Sequence, residues 1–427
     1  MLLNRRIVVG ICGGIASYKA VELVSRLQQA GALVDVIMSE RAEEFVRPLT
    51  FSTMSHRPVY SDLWEPSGEA AEIHIQLAEA AELLIVVPAT ANTLAKLAHG
   101  IADNMLTAVA LATRAPVVLA PAMHHHMYTH PATQANLELL RARGVFLLEP
   151  EVGRLASGEV GIGRLPETPV LLGVISVVLG RDGDLAGRRV VVTAGGTQEP
   201  IDPVRYVGNR SSGKMGYAIA SVARDRGAQV TLISGPVSLE APYGVKVIRV
   251  GTALQMRDAV VDAAKEADVL IMSAAVADYR PAQVAAQKLK KEGSGDAQVY
   301  KMGDEFSLQL TRTPDILGEL AILFDKRSGE FKPQHPFIRV GFAAETNDLI
   351  RYARAKLAAK HLDLLVANDV SRSDSGFGSD TNRVLLFSAD GKMEDLPLLS
   401  KTEVAERIWD RVVPLLLAAD VRSHQGD

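Results

Sequence analysis

RVVVTAGGTQEPIDPVRYVGNRSSGKMGYAIA, residues 189–220, is the stretch that decides the fold. Val190 to Thr193 reads as a buried strand, Gly195-Gly196 breaks it, a long polar loop follows, and a helix begins near Gly213. Strand, glycine turn and helix N-terminus together gather free backbone N–H groups and a positive dipole end where phosphate can sit. The loop carries Arg205, Asn209, Arg210, Ser211, Ser212 and Lys214, a dense donor set for phosphate or carboxylate. Residues 208–214, GNRSSGK, nearly fit G-x-x-x-x-G-K-[ST]. Met215, however, stands where the magnesium-holding Ser or Thr belongs, and the strand ends about fifteen residues too early. A P-loop ATPase is rejected, and a nucleotide site of another design is retained.

Outward from this stretch, the two halves of the chain repeat a plan. Arg6 to Gly10 (strand), Cys12-Gly13-Gly14 (turn), Ala16 to Ala30 (amphipathic helix) and Leu33 to Met38 (strand) mirror Val190 to Thr193, the loop, Gly216 to Arg226 and Gln229 to Ile233. A second matched pair comes later in each half, LLIVVPAT (83–90) and VLIMSAAVAD (269–278). Continuous apolar runs separated by helical stretches mean parallel strands buried on both faces, with ligands beyond their carboxyl ends. The expected architecture is α/β: two doubly wound, Rossmann-like domains with mainly parallel sheets, 1–180 and 189–427, joined by a polar linker at 181–188.

The 427 residues suffice for two or three domains, and 48% hydrophobic with 22% charged residues is the balance of a soluble globular protein. A net charge of −4 gives no field for nucleic acid, so anions must be held by local clusters. A single cysteine, Cys12, fits a reducing compartment. MLLNRRIVVG lacks a long apolar segment, and the longest apolar run, Pro169 to Gly180, is too short to cross a bilayer. These features predict a cytoplasmic protein without membrane partners.

In the first half, Gly13, Gly14, Ser17, Ser39, Pro88, Ala89, Thr90, Asn92, Thr93, Asp103 and Asn104 fall at predicted strand ends. Singly, turns and helix caps explain them; jointly they favour a phosphate-bearing cofactor on one sheet edge. A G-x-G-x-x-G fingerprint is absent, so a plain dinucleotide site is unsupported. His74 opens a helix with apolar positions Ile73, Leu77 and Ala81, where the dipole favours a neutral imidazole. His124-His125-His126 follows the strand Pro116 to Ala120, but adjacent histidines cannot all face one metal ion.

GGIASYK, PATANTLAKLAHGIADNMLT, PAM-x-x-x-MY and GRLASGEVGIGRLPE resemble the flavin-dependent cysteine decarboxylases. The second half, with TAGGTQEPIDPVRYVGNRSSGKMG, SAAVADYRP, KLKK, GFAAET and ANDV, resembles phosphopantothenate–cysteine ligases. In this order, over nearly the whole chain, the motifs are similar to bifunctional phosphopantothenoylcysteine decarboxylase/phosphopantothenate–cysteine ligases of coenzyme A biosynthesis. The resemblance implies a flavodoxin-like domain holding FMN through Gly13, Gly14, Ser17, Ser39, Pro88, Ala89, Thr90 and Asn92. It implies catalytic roles for His74, His124 and Ser157. Two positions depart from the family: His124 replaces an Asn, and Ser157 replaces the proton-donating Cys, a much stronger acid than serine.

For the second half the resemblance implies CTP with magnesium. It places CTP contacts at Met272, Ser273, Ala274, Asp278, Lys288, Pro314, Asp315, Ile316, Leu317, Phe342, Lys356 and Lys360. Arg205, Asn209, Ala274 and Ala275 are the implied substrate contacts, with Asn209 and Lys288 catalytic. Lys288, Lys290 and Lys291 before Gly293-Ser294-Gly295 read as a charged flap, and DKRSGEFKPQHP after Phe324 has no assigned role. The implied partners are 4′-phosphopantothenate, cysteine and CTP, within a homo-oligomer, a dodecamer of trimers and dimers. Two alternatives stand beside this reading: a ligase with an impaired decarboxylase, and an NAD(P)-binding Rossmann oxidoreductase. The chain is expected to fray after Asp420.

Overall fold

A computed structural model describes residues 2–64, 72–289, 300–302, 305–323, 337–345, 349–369 and 378–424. The chain divides into two compact units, Met1–Gly180 and Arg181–Asp427.

The first unit is built on a wholly parallel sheet. Its strands are β1 (Arg6–Ile11), β2 (Leu33–Met38), β3 (Val59–Tyr60), β4 (Leu83–Ala89), β5 (Val117–Pro121) and β6 (Phe146–Leu147), in the order β3-β2-β1-β4-β5-β6. Without the two-residue edge strand β3, this is the flavodoxin-like winding, which reverses between β1 and β4. Every residue of β4 is buried, as a central strand covered on both faces requires. The covering helices are α1 (Ser17–Gln29), α2 (Pro48–Ser55), α3 (Ile73–Ala80), α4 (Ala91–His99), α5 (Met105–Ala112), the single turn α6 (His125–Tyr128), α7 (Pro131–Ala142) and α8 (Thr168–Gly180). The long apolar run forms α8, whose Leu171, Ile175 and Val178 are buried where it packs on α1 and β4. A two-stranded hairpin, β7 (Glu151–Arg154) with β8 (Val160–Arg164), stands outside the sheet.

The second unit repeats the winding and extends it. Strands β9 (Arg189–Ala194), β10 (Gln229–Ser234), β11 (Lys246–Arg249), β12 (Val269–Met272), β13 (Ile338–Glu345), β14 (Leu364–Asp369), β15 (Val384–Ser388) and β16 (Met393–Asp395) run in the order β11-β10-β9-β12-β13-β14-β15-β16. The first six are parallel and the last two are added antiparallel. Alternation along the strands sends Val190, Val192, Val269, Ile271 and Val340 into one core and Val191, Ile233, Leu270 and Met272 into another. The first core is closed by α9 (Lys214–Asp225) and α13 (Lys401–His424), where buried Trp409 donates its indole N–H to the Ile219 carbonyl at 3.0 Å. The opposite face is closed by α10 (Ala253–Ala264), α11 (Ile316–Leu323) and α12 (Leu349–Ala359).

Four local expectations change. The apolar run 269–278 is a strand only to Met272, because Ser273 Oγ turns back to the Thr193 carbonyl (2.6 Å) and Thr193 Oγ1 captures the Ala274 N–H (3.0 Å). The polar loop after β9 contains an antiparallel ribbon, Gln198–Pro200 with Tyr206–Gly208. Within the expected linker, Leu185 is fully buried in the second unit's core and its N–H donates to the Arg226 carbonyl at 3.0 Å. Helix α13 continues past Asp420 to His424, where fraying was expected.

Candidate active sites

In the second unit a cavity of about 810 Å³ opens at the carboxyl ends of β9, β12 and β13. It gathers Asn209, Met272, Ser273, Ala274, Ala275, Asp278, Pro314, Asp315, Ile316, Leu317, Phe342, Lys356 and Lys360, residues from five separate stretches of sequence. The small residues Ala274 and Ala275 follow β12, and the Ala275 N–H donates to the Gly195 carbonyl at 2.8 Å. Asn209 donates through Nδ2 to the carbonyls of Ala275 (3.2 Å) and Val276 (3.1 Å), drawing the ribbon loop to the end of β12.

The opposite wall is ionic. Lys356 and Lys360, one turn apart on α12, project together: Lys356 Nζ donates to the Phe342 carbonyl at 2.8 Å, and Lys360 pairs with Asp315. Burial pushes the Asp315 carboxyl up, but Lys360, the Gly318 N–H (3.0 Å) and Lys356 outweigh it and hold the group below its ordinary range. Lys214, Arg312, Lys356, Lys360 and Lys401 line the cavity with Asp278 and Asp315, an excess of cations suited to a polyanion. Among the described residues no three His, Cys, Asp or Glu side chains gather as metal ligands.

Two expected residues lie outside this lining. Arg205 clasps Asp202, with Nε 2.9 Å from Oδ2, and donates to the Leu289 carbonyl at 2.8 Å. Asp202 also accepts the Leu289 N–H at 3.1 Å, so the pair fixes the chain beside exposed Lys288. Arg205 and the N–H groups of Val204, Leu289 and Arg205 hold the Asp202 carboxyl far below the usual carboxylate range. Lys290, Lys291, the glycine hinge and residues 324–336 lie outside the described residues. Sequence reasoning missed Lys401, Asn368 and Asn382 in the cavity wall, since no local pattern marks them.

The first unit presents its polar residues at one sheet edge. A Cβ on Gly13 would lie 2.6 Å from the Arg41 carbonyl oxygen, so glycine alone lets this turn close on the 3-10 turn Glu40–Glu44; Gly14 beside it faces open space. Ser17 Oγ reaches the carbonyls of Cys12 (3.0 Å) and Gly14, holding the turn, and the Ser39 N–H donates to the Ile11 carbonyl at 2.9 Å, joining the ends of β1 and β2. After Pro88 and Ala89, Thr90 caps α4 through the Thr93 N–H (3.4 Å), and Asn92 is exposed in the first helical turn. This glycine cradle beside an open helix N-terminus fits a phosphate-bearing ligand. Half-buried His74 stands in the first turn of α3, which leads back into β4 and so begins toward the same edge.

His124 caps α6, its Nδ1 accepting the His126 N–H at 3.3 Å while Nε2 lies 3.0 Å from Glu159 Oε2. The β7–β8 hairpin is seated there because the Met123 N–H donates to the Gly163 carbonyl at 3.1 Å. Gly163 has φ +144°, and a Cβ would lie 2.0 Å from the Met123 oxygen. Exposed Ser157 lies in the hairpin turn, its Oγ 3.4 Å from the Glu159 N–H, so the structure brings the hairpin and His124 together.

A flavoprotein family model matches residues 1–179, and a model described as the DNA/pantothenate metabolism flavoprotein C-terminal domain matches residues 185–416. The coenzyme A biosynthesis bifunctional protein CoaBC of Bacillus subtilis (strain 168) is 47% identical over 426 residues, 99% of this chain and 100% of that protein. The protein of the same description from Escherichia coli (strain K12) is 44% identical over 412 residues, 96% of this chain and 97% of its own. A crystal structure of the C-terminal domain of a CoaBC protein aligns over 55% of this chain and 99% of its own, at 38% identity and a TM-score of 0.44.

Proposed function

We infer the function from kinship: the chain belongs to the family of bifunctional CoaBC proteins of coenzyme A biosynthesis, and both family models fall along it in the order decarboxylase, ligase. It joins cysteine to 4′-phosphopantothenate and decarboxylates the phosphopantothenoylcysteine so formed to 4′-phosphopantetheine. The observation that carries the reading is relatedness over the full length of both proteins, which leaves neither activity without its domain.

For the ligase we propose CTP as the activating nucleotide. The carboxylate of 4′-phosphopantothenate attacks the α-phosphorus, pyrophosphate leaves, and the cysteine amine displaces CMP from the acyl cytidylate. Activation is needed because a free carboxylate lacks a leaving group. Lys356 and Lys360 bind the nucleotide beside Phe342, with Met272, Ser273, Ala274, Asp278 and residues 314–317 shaping its pocket. Asn209 and Ala275 position the acyl group, and Lys288 and Arg205 serve the same step from the neighbouring loop. Magnesium neutralises the triphosphate, held chiefly by the nucleotide's own oxygens.

For the decarboxylase we propose FMN, supported by the flavoprotein match and the polar edge of the first unit. When bound, FMN takes electrons from the cysteinyl thiol and so provides the sink that departing CO₂ requires. Gly13, Gly14, Ser17, Ser39 and the 88–92 segment bind it, the helix N-terminus of α4 receiving the phosphate. His74 orients the substrate carboxylate, His124 donates a hydrogen bond through Nε2, and the hairpin bearing Ser157 excludes water. A cytoplasmic homo-oligomer, a dodecamer of trimers and dimers, completes the proposal; light scattering of the purified protein tests it. No described helix is long and apolar enough to cross a membrane.

Product analysis with 4′-phosphopantothenate, CTP and cysteine tests both halves. A yellow protein releasing pyrophosphate, CMP, CO₂ and 4′-phosphopantetheine is expected. Accumulation of phosphopantothenoylcysteine without CO₂ identifies a ligase with an impaired decarboxylase, and use of ATP in preference to CTP overturns the nucleotide assignment.

A further inference from the structure

The cavity of the second unit straddles the sheet edge, and its lysines fall into two pairs on opposite faces. Lys356 and Lys360 come from α12 on one face. Lys214 opens α9 and Lys401 opens α13 on the other. A short segment ties the second pair together: Lys214 Nζ donates to Asp380 Oδ1 (2.6 Å) and to the Gly378 carbonyl (3.2 Å), while the Lys401 N–H donates to the Asp380 carbonyl (3.0 Å). Lys401 is only 6% exposed. Two ammonium groups at one cavity wall, one of them buried, oppose each other's charge. The carboxylate interposed beside them, Asp380, has a side chain 88% exposed, so water screens it.

Resting on the ligase reading, we propose that Lys214 and Lys401 form a phosphoryl clasp, a second anion subsite separate from Lys356 and Lys360. The reaction requires two such places, because one substrate carries a polyphosphate and the other a phosphomonoester. A phosphoryl group offers several oxygens to both ammonium groups at once and relieves their mutual repulsion. Burial, and next the charge of Lys214, push the Lys401 ammonium's pKa down against the pull of Asp380, the environment of a cation awaiting an anion. Asp380 then acts as the stand-in that the phosphoryl group displaces from Lys214.

Calorimetric titration of the full chain with CTP, CMP, 4′-phosphopantothenate and pantothenate tests the clasp in Lys214→Gln, Lys401→Met and Lys401→Arg. Both charge-removing variants are expected to weaken one phosphorylated ligand by about tenfold or more and to spare its counterpart lacking that group, with Lys401→Arg retaining most of the affinity. Loss for 4′-phosphopantothenate but not pantothenate assigns the clasp to the phosphomonoester. Loss for CTP but not CMP assigns it to the departing pyrophosphate. Folded Lys214→Gln that binds CTP and 4′-phosphopantothenate within about twofold of wild type overturns the proposal, as does an equal loss for all four ligands. If the unaltered protein binds neither CTP nor 4′-phosphopantothenate, the ligase reading itself falls.

Discussion

Asn209 spends both carboxamide hydrogens on main-chain carbonyls, those of Ala275 at 3.2 Å and Val276 at 3.1 Å, and so joins the ribbon loop after β9 to the segment after β12. The two halves of the ligase cavity meet at that contact. Asn209→Asp would set a carboxylate against the same two carbonyls, replacing attraction with repulsion. Pyrophosphate release is expected to fall about 10- to 100-fold. Decarboxylation of supplied phosphopantothenoylcysteine should persist, and equal loss of both activities would show general misfolding instead.

Gly163 tests the seat of the decarboxylase hairpin. At φ +144°, with a prospective Cβ 2.0 Å from the Met123 oxygen, Gly163→Ala cannot be accommodated without lifting β8 from the His124 loop. Decarboxylation is expected to drop at least about tenfold while CTP-dependent ligation is unchanged. An unaltered decarboxylation rate would show that the hairpin is not needed where it sits.

Ser157 and His124 separate under mutation. A serine hydroxyl is too weak an acid to act as cysteine would, with its pKa near about 8.5. Ser157→Ala is therefore expected to keep 4′-phosphopantetheine formation within about twofold, whereas His124→Ala lowers it by about 10²-fold or more. Ser157→Cys raising the rate strongly would instead mark the natural decarboxylase as impaired.

Asp202 gives the ligase unit a pH signature. An aspartate in an unfolded chain titrates near about 3.9. In the fold, Arg205 and three backbone N–H groups depress it far below that. Its stabilisation is thus complete above the unfolded pKa and is lost as pH falls toward the folded one. Arg205→Ala returns Asp202 toward its ordinary value, and the variant's Tm, followed from pH 7 to about pH 3, should begin to decline at higher pH than that of the wild type. Superimposable profiles would show that Arg205 does not stabilise this loop.

Much of the fold was legible because it rests on local causes. Apolar runs such as Leu83–Ala89 can only be buried strands, and Gly13-Gly14 and Gly195-Gly196 mark turns at the edge where ligands bind. Asn209, Ala274, Asp315, Phe342, Lys356 and Lys360 could be named in advance because their motifs are long. Side-chain partners were not legible. No spacing in the chain says that Arg205 turns to Asp202, that Glu159 meets His124, or that Thr193 ends β12 by capturing the Ala274 N–H.

Sequence by itself determined two repeated α/β units, the polarity of their strand ends and the family to which the chain belongs, since each follows from periodicity or from motifs read along the chain. Tertiary structure alone decided that Lys214 and Lys401 share one cavity wall. They lie on different helices, and they meet because α9 and α13 bury their apolar faces on the same side of one sheet. That packing is a choice made by the whole core, and no short stretch of residues encodes it.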